Sequence, residues 1–99
     1  MFGGDEMAIT KFRHKGLKRF FENNDKSGIQ PAHAKRIGLI LDLLDSATSA
    51  LEMDFPGSNF HPLKGNYKNF YSVHVNGNWA IIFKFDNGEA YDVDLIDYH

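Results

Sequence analysis

Cysteine is absent from this chain of 99 residues. That excludes disulfides, zinc–thiolate sites, iron–sulfur clusters and thiol nucleophiles. No apolar run approaches the ~18 residues a membrane-spanning helix requires. The N-terminus lacks a positive region followed by an apolar one, so no secretory signal is expected. Tryptophan occurs once and proline three times. No P-loop, G-x-G-x-x-G, H-E-x-x-H or G-x-S-x-G is present. No pair of the five histidines stands at close zinc spacing. Neither a metal nor a cofactor is expected. A soluble cytoplasmic protein without a membrane partner is the remaining class.

The apolar share of 42% is ordinary for a globular chain. Its length suits one compact domain. Residues 1–7, with Gly3-Gly4, read as an N-terminal leader or expression remnant, and residues 8–99 as a single domain. The net charge of −2 conceals an uneven distribution. Eight basic and two acidic residues lie between Lys11 and Arg36, whereas five acids and no Lys or Arg follow from Asp86 onward. A basic face of this kind meets phosphate or an acidic protein surface.

Hydrophobic periodicity divides the chain. Ala8 to Phe12 alternates weakly and suggests a first strand. Leu17, Phe20 and Phe21 share one helical face over His14–Asn23, and turn chemistry follows at Asn23–Gly28. Pro31 then opens a longer helix to Ala47, carrying Ala34, Ile37, Leu41 and Leu44 on one face. After Asp54–Ser58 the period becomes 2. Tyr71–Val75, Trp79–Phe85 and Tyr91–Leu95 form three strands joined by Asn76-Gly77 and Asp86-Asn87-Gly88, an antiparallel meander. A further short strand is expected near Phe60. Trp79 is expected in the core and His74 on the more exposed sheet face. The fold class is α+β, a two-helix hairpin packed on one face of a twisted antiparallel sheet.

Three local features could carry chemistry: His61-Pro62-Leu63-Lys64-Gly65, Gly77-Asn78-Trp79-Ala80 and the terminal Asp97-Tyr98-His99. Each also has a plain structural reading, as a surface loop, a core strand and a polar tail. Together with Phe12-Arg13-His14-Lys15-Gly16-Leu17 and Gly28-Ile29-Gln30-Pro31-Ala32-His33-Ala34-Lys35, they resemble the HigB toxins of type II toxin–antitoxin systems, within the RelE superfamily of mRNA interferases. The resemblance spans about Lys11 to His99.

The resemblance implies a RelE-like fold and a ribosome-dependent endoribonuclease that cuts mRNA in the A site. It also implies a HigA-type antitoxin with a helix-turn-helix, through which alone operator DNA is contacted. Carried over residue by residue, it makes His61, Lys64, Asp97, Tyr98 and His99 catalytic or near-catalytic positions. His99 is the leading proton-transfer group, and His61 is a second acid/base or a phosphate ligand. Lys64 stabilises phosphate, Tyr98 positions the nucleotide and Asp97 orients a neighbour. In the family the Trp of this strand is followed by Arg; here Ala80 stands there. The reading favours an inactivated variant over a naturally divergent member. Lys15, Lys18, Arg19, Lys35 and Arg36 are the expected contacts to ribosomal RNA. The alternative is a non-catalytic protein-binding module of the same fold. Convergence of the candidate residues on one concavity distinguishes the two.

Overall fold

The computed structural model describes residues 8–98. His99, the expected leading proton-transfer group, and the expected leader at residues 1–7 lie outside the described residues.

Helix α1 spans Lys15–Asn23. His14 is its N-cap and not its first turn, because the imidazole Nδ1 accepts the Leu17 N–H at 3.1 Å. Asn24 ends the helix in the left-handed conformation at φ +56°. The second helical segment is split. Pro31–His33 form a 3₁₀ turn, and helix α2 runs over Ala34–Ser46 with Ala47 as its cap. Pro31 cannot donate a backbone hydrogen bond, and the His33 N–H reaches Gln30 O, so the entry winds tightly. Two further 3₁₀ turns, Ala50–Met53 and Gly65–Tyr67, carry no periodic pattern that would announce them.

Strands β1 (His61–Pro62), β2 (Tyr71–Asn76), β3 (Trp79–Asp86) and β4 (Glu89–Asp97) form an antiparallel sheet in sequence order. β1 is the short strand expected near Phe60. The weakly alternating segment at Ala8–Phe12 is not a strand of this sheet. It meets β4 only at two isolated parallel bridges, Ile9 with Ala90 and Phe12 with Val93. Asp92 sits between those bridges at φ +52° and turns β4 out of its pleat, which interrupts the ladder.

Both helices pack on one sheet face. Leu17, Ile37, Ile40, Leu41 and Leu44 meet Val73, Ile81, Phe83 and Val93 in one buried cluster. Trp79 is half-buried at its edge, with its ring 6.0 Å from that of His33. The helix-free face is partly closed as well. Ser72, Ala80 and Ile82 are buried there, and Phe70 lies between Lys84 and Arg13. Among the described residues, no helix is long and apolar enough to cross a membrane.

Candidate active site

The sheet's alternation places the site. Register pairs His61 with Ser72, Ser72 with Ile82, His74 with Ala80, and Ala80 with Ile96. Side chains two apart on a strand share a face. His61, Ser72, His74 and Ala80 therefore all project from the helix-free side, and there they line a cavity of about 280 Å³. Asn59, Gly77 and Asn78 form part of its rim, and Tyr98 closes it from the end of the chain.

The side chains of His61, Ser72, His74 and Tyr98 in this cavity are each held by a hydrogen bond. The Tyr98 hydroxyl donates to Ser72 Oγ at 3.0 Å, and the Tyr98 N–H donates to Asn78 O at 2.7 Å. His61 Nδ1 lies 2.7 Å from Asn59 O. A carbonyl only accepts, so Nδ1 carries the hydrogen and Nε2 is left free to take or give a proton. The same logic applies to His74. Its Nε2 lies 3.0 Å from Gly77 O, so Nε2 is the donor and Nδ1 is free. Ala80 is 2% exposed and presents one methyl to the cavity.

The structure brings His61, Tyr98 and Ala80 together. It does not bring Lys64 into the cavity wall: Lys64 is exposed and precedes the Gly65–Tyr67 turn. Asp97 ends β4 opposite Trp79. The basic helical residues lie on the other side of the sheet, where Lys15, Lys18, Arg19 and Lys35 are exposed. Arg19 is within 3.5 Å of Asp25. Arg36 is half-buried and committed to the fold. Its donors reach His74 O at 3.2–3.3 Å and Gly57 O at 2.8 Å, and its guanidinium lies 5.5 Å from the Phe55 ring centre. His74 was not among the expected site residues. Its shared parity with Ser72 and its place just before the Asn76-Gly77 turn are the signals that could have found it.

A family model described as "RelE-like toxin of type II toxin-antitoxin system HigB" matches residues 10–99. The chain belongs to this family of HigB-type toxins. It is 41% identical over 91 residues to a Proteus vulgaris protein named Endoribonuclease HigB, covering 92% of this chain and 99% of that one. It is 30% identical over 91 residues to Toxin HigB-1 of Vibrio cholerae, covering 90% and 95%. The fold of this HigB-type toxin is shared with a YoeB–YefM complex from Staphylococcus aureus, at a TM-score of 0.59 and 22% identity over 92% of this chain and 94% of that one. It is shared also with HP0894 of Helicobacter pylori, at 0.50 and 15% identity over 90% and 93%. The expected α+β architecture is thus the RelE-like one.

Proposed function

We propose that this HigB-type toxin is a ribosome-dependent endoribonuclease that cuts mRNA in the A site by metal-free acid/base chemistry. A HigA-type antitoxin neutralises it in the cytoplasm. The observation that carries the reading is the meeting of His61 and Tyr98 across one cavity, in a chain 41% identical to a protein named an endoribonuclease.

The ribose 2′-oxygen attacks the adjacent phosphorus. Its proton passes to a base, the P–O5′ bond breaks, and the 5′-oxygen takes a proton from an acid. A 2′,3′-cyclic phosphate and a 5′-hydroxyl result. Imidazole serves either proton step because its charge changes near neutral pH. His61 fits through its free Nε2, its ring oriented by Asn59 O. His99 supplies the partner imidazole. The Tyr98 hydroxyl, when it turns from Ser72, donates to the charged phosphate. Lys64, exposed three residues after His61, adds positive charge once RNA is bound, and Asp97 orients its neighbours.

A shallow site holds free RNA poorly, and the ribosome supplies the missing orientation. Lys15, Lys18, Arg19 and Lys35 then meet ribosomal RNA from the helical side, a salt-sensitive contact. Arg36 supports the site by holding His74 O. The rival reading, a binding module without catalysis, is favoured by Ala80 alone, since a methyl offers the phosphate no donor.

The test is to induce the chain and its Ala80→Arg form in cells and map mRNA ends on translating ribosomes. Cuts in the A site with the Arg form, with growth arrest relieved by a co-expressed HigA-type antitoxin, are expected. Unchanged mRNA ends with both forms at full expression would leave the binding module.

A further inference from the structure

We infer that His74 is a phosphate-binding group of the same cavity, holding the scissile phosphodiester in front of Ala80. The inference rests on the endoribonuclease reading and adds a residue to it.

Four observations converge on this side chain. It lines the cavity that His61 and Tyr98 share. It stands directly across the β2–β3 pair from Ala80, whose single methyl leaves the space before it unfilled. Its ring is tethered, because Nε2–H donates to Gly77 O at 3.0 Å. Its backbone is fixed on both sides. The N–H donates to Ser58 O at 2.8 Å, and the carbonyl accepts from Arg36 Nε and Nη2. Preorganisation of this kind is what a binding group needs, since little order is lost when the ligand arrives.

The tether decides what the ring can do. With Nε2–H on Gly77 O, the remaining nitrogen is Nδ1. Once protonated, Nδ1–H and the imidazolium charge face a phosphate oxygen, and the tether to Gly77 is kept. A charge-assisted bond of this type is stronger than a neutral one. Among the described residues, the other titratable groups at the cavity are His61 from β1 and Tyr98, with Arg36 reaching the His74 carbonyl from α2. His61 and His74 thus divide the work: proton transfer at one edge of the cavity, phosphate holding at the other.

The alternative is that His74 only locks the Asn76-Gly77 turn. His74→Gln separates the two, because its amide can still donate to Gly77 O but carries no charge. The experiment titrates the full chain with an RNA trinucleotide bearing a 2′-O-methyl group at its middle nucleotide, which cannot be cleaved. Ring-nitrogen NMR follows His61 and His74. The expected result is that His74 Nδ1 moves toward its protonated position as RNA is added, and that His74→Gln binds roughly tenfold more weakly. Methyl resonances of Val73 and Ile81 report that the variant is folded. If the His61 ring responds while His74 does not, and His74→Gln binds as tightly as the parent, the assignment of His74 is overturned and the nuclease reading stands. If neither ring responds, the assignment of His74 is overturned, and the nuclease reading is decided separately by the mRNA ends mapped on translating ribosomes.

Discussion

The Tyr98 hydroxyl donates to Ser72 Oγ at 3.0 Å, which fastens the segment after β4 to the start of β2. Ser72 is buried, so this bond joins the core of the sheet to the mouth of the cavity. Tyr98→Phe removes it and leaves Ser72 Oγ without that donor. The expected cost is about 1 kcal/mol of stability, read from urea denaturation. Cleavage also falls. The double variant Tyr98→Phe, Ser72→Ala is expected to lose less than the two single losses added together, since both remove one bond.

Ala80 is the second site of prediction. Its side chain lines the same cavity as His74 and Tyr98, directly across the strand pair from His74. In Ala80→Arg, the guanidinium extends into the cavity and supplies the donors that a methyl cannot. Cleavage is expected to rise by roughly 10²–10³. Growth arrest on induction reports it, and an Arg form no more toxic than the Ala form would refute this reading of the position.

Much of the fold was readable because the sheet obeys a strict period. Tyr71–Val75 and Trp79–Phe85 alternate, and Asn76-Gly77 marks the turn between them. β1 escaped exact placement because two residues are too few to show alternation. The bulges at Val75 and Asp92 are local insertions with no pattern of their own. The segment at Ala8–Phe12 alternates but pairs only twice, because its partner strand bends away. At the site, His61 and Tyr98 came from the family resemblance, and the sheet register explains why they meet. His74 was hidden in plain alternation, where an exposed strand position needs no function. Arg36 looked like one more helical cation until its donors were found on two backbone carbonyls.

The start of α1 carries a steric prediction. A Cβ on Gly16 would lie 2.4 Å from Gly28 O, a backbone atom that cannot swing aside. Gly16→Ala must push the 25–29 turn away from α1. A loss of about 3 kcal/mol is expected from the urea midpoint. His14→Ala, which deletes the cap on Leu17 N–H, is expected to cost about 1 kcal/mol, and His14→Asn to recover most of it.

Two surface carboxylates give a pH prediction. The backbone N–H of Ser27 holds the Asp25 carboxyl below its ordinary 3.8, with the Ser27 side chain and Arg19 assisting. The Thr48 hydroxyl, and then its N–H, hold Glu52 below 4.5. A depressed carboxylate contributes stability above its unfolded pKa and loses it as pH falls through the folded one. Each turn is therefore expected to loosen as pH falls below its carboxyl's ordinary value, 3.8 for Asp25 and 4.5 for Glu52. Carboxyl carbon NMR checks this, with midpoints under 3.8 and 4.5 as the expected result.

The chemistry at the His61 cavity is tested most directly by the ends of the cut RNA. Translating ribosomes are incubated with the Ala80→Arg form, the reaction is stopped, and the fragment termini are read chemically. A 2′,3′-cyclic phosphate facing a 5′-hydroxyl is predicted, with His61→Gln lowering the yield by roughly 10²–10⁴. Fragments carrying 5′-phosphates, or full cleavage by the His61→Gln form, would contradict it.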